Sequence, residues 1–113
     1  MEQKVNFNTP AWGIQEIIGY EPKTTFWYDF NVADYFGASA IMDTYNRSFN
    51  AWKDDYEYLT ELVLVLNWKC WYWYDQGNEN RSKFYSELFY RARNYALENL
   101  IGEELHYFLE TTD

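Results

Sequence analysis

The chain has one cysteine and one histidine in 113 residues. A lone Cys70 excludes an intramolecular disulfide and reads as a small core residue. A lone His106 excludes a self-contained di-iron site, which needs two Glu-x-x-His pairs and two further inward glutamates. The one such spacing, Glu103-x-x-His106, could be completed only across a homodimer. Cys70 has no histidine near it in sequence to act as its base. The chain also lacks a Gly-rich phosphate loop, a G-x-S-x-G elbow and a C-x-x-C pair. The expectation is a protein that is not an enzyme, with no catalytic residue, cofactor or metal ligand.

Long apolar runs are missing too. The longest uncharged one, Leu62 to Trp68, is far too short to cross a bilayer. The first eight residues hold no apolar segment of the secretory kind, so the expected location is the cytoplasm, with no membrane contact. Basic residues are scarce, 9 against 18 acidic, for a formal net charge of −9. That field repels a phosphate backbone and argues against direct nucleic-acid binding. It attracts a basic partner, and it also keeps an apolar-rich surface soluble.

Aromatic residues are abundant: 6 Trp, 12 Tyr and 8 Phe make up 23% of the chain. A single core of this size cannot use them all. Buried Tyr and Trp need partners for their polar ends, so many tyrosines should sit half-exposed. Tyr and Trp are also the residues that anchor protein interfaces.

The densest stretch runs from Tyr58 to Tyr74, without Gly or Pro. It is too long for a typical strand and reads as a helix from about Asp55 to Tyr74, with Asp54-Asp55 suited to cap it. At about 100° per residue, Leu59, Leu62, Val63, Leu66, Cys70 and Trp73 share one face. Leu64, Trp68, Trp71 and Tyr72 share roughly the opposite one, with Glu61 on their side. Such a helix either runs through the middle of the fold or meets a partner with its second face. The candidate interaction face is therefore Glu61, Leu64, Trp68, Trp71 and Tyr72.

The rest arranges itself around that rod. Residues 1–25 form an N-terminal arm, with a short helix over Ala11–Tyr20 and Pro22 in a linker. Residues 26–113 form the helical bundle domain. Helices are expected over Asp29–Phe36, ended by Gly37, from Ala38 or Ser39 to about Lys53, and over Glu79–Ile101 after the turn Asp75-Gln76-Gly77-Asn78. The second carries Ile41, Thr44, Tyr45, Ser48, Phe49 and Trp52 inward. The last of these carries Phe84, Tyr85, Leu88, Ala92, Tyr95, Ala96 and Leu100 near one stripe. Gly102 ends it, and a short helix over Glu103–Glu110 brings Leu105, Phe108 and Leu109. Asp43 with Arg47 and Lys83 with Glu87 are spaced to pair. The fold class is all-α: an antiparallel bundle of about three long helices with short flanking helices.

The segments Phe30-Asn-Val-Ala-Asp-Tyr-Phe-Gly37, Asp43-Thr-Tyr45, Trp52-Lys53, Tyr58-Leu-Thr-Glu-Leu-Val63 and Gly102-Glu-Glu-Leu-His-Tyr-Phe108 resemble small acidic, aromatic-rich, uncharacterised proteins of gut-bacterial phages and conjugative elements. The likeness spans roughly Phe26 to Asp113. It implies a mobile-element accessory protein and carries no activity.

Three functional expectations stand side by side. One is a protein-protein interaction module that binds a host or element protein through aromatic residues, with a homodimer as one form of it. A second is a nucleic-acid-mimicking inhibitor of a DNA-binding protein. Its acids are scattered among Lys and Arg rather than set in a stripe. The third is a small-ligand binder that uses the Trp68, Trp71 and Tyr72 face with the Glu61 carboxylate.

Overall fold

The rod is the axis of the molecule. In a computed structural model that describes residues 23–112, the chain forms five helices: α1 (Phe26–Phe36), α2 (Ala38–Trp52), α3 (Tyr56–Asp75), α4 (Glu79–Asn99) and α5 (Gly102–Thr112). The described residues contain no strand, and the fold is all-α. The expected arm up to residue 22 and its helix over 11–20 lie outside the described residues.

α3 packs against each of the other four helices. Every residue from Leu59 to Leu66 is buried, on all sides of two helical turns. The first half of α3 therefore runs through the middle of the fold, and its second apolar face is covered by the chain itself. Thr60 is tolerated there because its hydroxyl donates to the Tyr56 carbonyl at 2.7 Å. Asp55 caps the helix, its side chain accepting from the amides of Glu57 and Tyr58. The three-residue turn Gln76-Gly77-Asn78 folds α4 back antiparallel. Gly77 takes φ 81° there, a value an L side chain rarely adopts. The Asn78 side chain then caps α4 by accepting from the Arg81 amide at 3.0 Å.

The stripes that meet α3 are those the spacing predicts, with some shifts. From α4 come Tyr85, Leu88, Ala92 and Ala96, all essentially inaccessible. α2 contributes Ile41 and Tyr45. Phe49 stacks on Tyr45 and sets its edge against Tyr95 of α4, with ring centres 5.0 Å apart. α5 closes the far side with Phe108, and Tyr107 meets Tyr56 edge to face. Trp52 does not point inward as its spacing suggests. It is the last residue of α2 and stays 40% exposed, leaning on Tyr58. Leu109 likewise faces outward. Gly102 sits at the first turn of α5 rather than the last of α4, after an extended Leu100.

α1 begins three residues earlier than its periodicity suggests, and the reason is a tertiary contact. The Glu61 carboxylate, fully buried on α3, accepts the amides of Lys23 at 2.7 Å and Thr24 at 3.1 Å, and also the Thr24 hydroxyl. Thr24 in turn accepts the Phe26 amide. A carboxylate 37 residues away in sequence thus anchors the start of α1. Leu66, at the centre of α3, touches core on every side. Leu66→Ala should lower the unfolding free energy by about 2–5 kcal/mol through the cavity it leaves, with the midpoint shift read by urea denaturation.

Candidate functional site

Three helices meet at a charged cluster that no local pattern announces. On α1, Trp27, Asn31 and Asp34 follow one another at i, i+4 and i+7 and so share a stripe. The stripe faces Lys69, Tyr72 and Trp73 in the second half of α3, and Arg81 and Tyr85 in the first half of α4. Lys69 is completely buried and pairs with Asp34 Oδ2, whose side chain is only 4% exposed. Its ammonium also donates to Asn31 Oδ1 at 2.8 Å. The rings of Trp27, Tyr72, Trp73 and Tyr85 have their centres 5.1 to 5.9 Å from Nζ. That is a cation–π box around a cation the chain supplies itself.

Asp34 is the acceptor for the whole cluster. Tyr85 donates its hydroxyl to Oδ1 at 2.6 Å, and Trp73 donates its indole N–H to Oδ2 at 3.3 Å. Arg81 donates to the Asp34 backbone carbonyl at 2.9 Å, lies 3.9 Å from Oδ1, and covers the Trp73 ring. Burial pulls Lys69 below the ordinary lysine range. Asp34 works the other way, and Arg81 adds to the lowering. Burial also pushes the Tyr85 hydroxyl far above its usual range, reinforced by the charge and hydrogen bond of Asp34. Nζ has two oxygen acceptors and four rings around it and no exposure, so it is not placed to attack a solute. The cluster ties helices together.

The sequence-derived face divides along α3. Glu61 and Leu64 are buried within the chain, so neither is available to a partner. The Glu61 carboxylate is engaged by the chain entering α1 and does not serve an aromatic ligand face. Trp68 is half-buried, edge to face with Trp27 at 4.9 Å and tilted against Tyr72 at 5.4 Å. The indole N–H groups of Trp27 and Trp68 are buried without an acceptor among the described residues. Tyr72 is half-buried at the edge of the lysine box.

Trp71 alone of the five stands open, at 58% exposure. Beside it is Tyr74, 59% exposed and edge to face with it at 5.7 Å. Together they rim a cleft of about 500 Å³ between α3 and α4, whose other walls include Cys70, Ser82, Lys83 and Ser86. The Cys70 thiol lies 3.6 Å from the Ser82 hydroxyl, which donates to the Cys70 carbonyl at 2.9 Å. At the other end of the chain His106 and Glu103 are exposed, and His106 lies 3.3 Å from Glu110.

Sequence reasoning gave Lys69 and Asp34 no role and took Tyr85 only as a residue of the inward stripe. A signal was present: Lys69 is the one charge between Leu62 and Tyr74, and a lysine in the middle of an apolar run needs a buried partner. Which of the acids that partner was could not be told from spacing. No protein-family model, curated protein or solved structure matches this chain.

Removing Asp34 leaves Lys69 buried with no counter-charge. Asp34→Ala should cost about 3–5 kcal/mol. The double variant Asp34→Leu/Lys69→Met removes both charges and should be more stable than Asp34→Ala alone, by urea denaturation of the series. The tyrosine gives a pH signature. Its pKa is raised in the folded state, so its contribution is intact below the unfolded value of about 10 and is lost as pH rises beyond it. Lys69, lowered on folding, acts in the opposite sense up to about pH 10.5. Tyr85→Phe should therefore lose stability above pH 10 less steeply than the parent, by about 1.4 kcal/mol per pH unit. Equal slopes in the two proteins would contradict this assignment.

Proposed function

We propose that this chain is a non-enzymatic interaction module that works by binding another protein through the Trp71 and Tyr74 end of α3. The observation that carries the reading is the exposed edge-to-face pair itself, each ring more than half open on the rim of a cleft. Two large aromatic rings left in water cost free energy that burial against a partner would recover, at roughly 25 cal/mol per Å². Their shared contact holds them in one geometry, so little side-chain freedom is lost on binding. The net charge of −9 favours a partner with a basic surface by steering the encounter. The same chemistry fits a cytoplasmic accessory protein of a mobile element that acts on a host or element protein. A homodimer through this end would use the same rings. The nucleic-acid-mimic reading draws support only from the net charge.

A photo-crosslinking residue at position 83, on the exposed wall of the same cleft, expressed in the native host, tests the proposal with both rings in place. It should trap a defined protein, and capture of that protein should fall about tenfold or more in Trp71→Ala/Tyr74→Ala. The double variant should stay folded, with a stability loss under about 1 kcal/mol, since both side chains are mainly exposed. If the double variant captures the same proteins as the parent, the aromatic rim is not the binding surface. A crosslink to a second copy of the chain would identify the partner as itself.

A further inference from the structure

A second cleft, of about 400 Å³, opens at the opposite end of α3, where the start of α1 and the end of α2 converge. Four observations there point to a ligand. Arg47 lines the cleft and forms no ion pair or hydrogen bond among the described residues, its expected pairing with Asp43 included. Ser48, beside it, is only 8% exposed, and its hydroxyl has no hydrogen-bond partner among the described residues. The hydroxyl is not one of the buried atoms left unsatisfied, so it reaches the cleft and is open to a ligand there. Trp52, one helical turn beyond Ser48, was expected in the core and instead stands 40% exposed on the cleft wall. Its ring is held by Tyr58 at 4.5 Å, which makes a two-ring wall.

The charges of the cleft choose the ligand. Lys23 is already bonded to Glu57 at 2.7 Å, so it is not a free cation. Asp29 stands on the α1 side and takes the Thr25 hydroxyl. One uncommitted guanidinium can neutralise one negative charge, and the Asp29 carboxylate on the same cleft repels a phosphate dianion more strongly than a monoanion. A guanidinium fork matches a carboxylate through two parallel hydrogen bonds. Rings beside it suit a flat apolar group. We propose that this cleft binds a small monocarboxylate bearing an aromatic ring, with the carboxylate on Arg47 and Ser48 and the ring against Trp52 and Tyr58. The site is independent of the aromatic rim at the other end of α3.

Benzoate is the probe, benzamide its uncharged counterpart, and inorganic phosphate the competing anion. Nitrogen-detected NMR at neutral pH would follow the Trp52 indole and Arg47 Nε signals. Benzoate should move both saturably, and benzamide should bind about tenfold or more weakly, for want of the charged contact. Arg47→Gln should weaken benzoate by a similar factor, and Ser48→Ala by a smaller one. Trp71→Ala/Tyr74→Ala should leave benzoate binding unchanged, which separates this site from the protein-binding surface. The proposal is overturned if benzoate and benzamide titrate alike, if Arg47→Gln binds as the parent does, if phosphate binds more tightly than benzoate, or if neither signal moves up to the solubility limit.

Discussion

The ammonium of Lys69 and the carboxylate of Asp34 sit in the interior against one another, and the arrangement of three helices depends on that contact. Taking both charges out of water costs several kcal/mol per ion before anything is returned. The return comes from their mutual attraction, from Tyr85, Trp73 and Asn31 as hydrogen-bond partners, and from four ring faces around the cation. Such a pair adds little net stability compared with a well-packed apolar replacement. Its effect is on which arrangement forms. α1 is only eleven residues long and could slide on α3 if apolar contact alone held it. Only one register places Asp34 on Lys69 while Tyr85 and Arg81 of α4 also reach it, so a slipped helix would bury an unpaired charge.

Glu61 plays the same part at the other end of α1. Its carboxylate takes two backbone amides and a hydroxyl where the chain enters the helix. One buried acid on α3 therefore fixes the start of α1, while Lys69, also on α3, fixes its last turn through Asp34. Both contacts join residues more than thirty positions apart in sequence. Between them the hydrophobic face of α1, Phe26, Trp27, Phe30 and Ala33, supplies the burial that holds the helix down.

Helical spacing and turn residues were enough to place α2, α3 and α4 to within two residues, because each has a stripe that repeats over several turns and a stop at Asp54-Asp55 or Gln76-Gly77-Asn78. The two greasy sides of α3 were equally visible. What periodicity cannot tell is what covers a face. Glu61 was assigned to the aromatic interaction face because local spacing holds no record of Thr24. Lys69 was given no role, because its partner Asp34 lies in another helix. Trp68, Trp71 and Tyr72 share an arc on paper, yet packing separates them into two half-buried residues and one open one. The exposed pair of Trp71 and Tyr74 was only half legible, since Tyr74 was assigned no face.

The two clefts and the charged cluster belong to one mechanical object. Tyr58 and Trp71 lie thirteen positions apart on α3, about 20 Å along its axis. The segment between them includes the turns buried on all sides and the cluster that locks α1 and α4 in register. A helix so held does not bend or rotate cheaply, since any rotation would separate Lys69 from Asp34. Each cleft is therefore presented in a fixed geometry, with little ordering left to be done on binding. The same rigidity means that occupation of one end has no second arrangement of α3 to select, and coupling between sites requires one. Two binding surfaces on one rod should act independently, a scaffold rather than a switch.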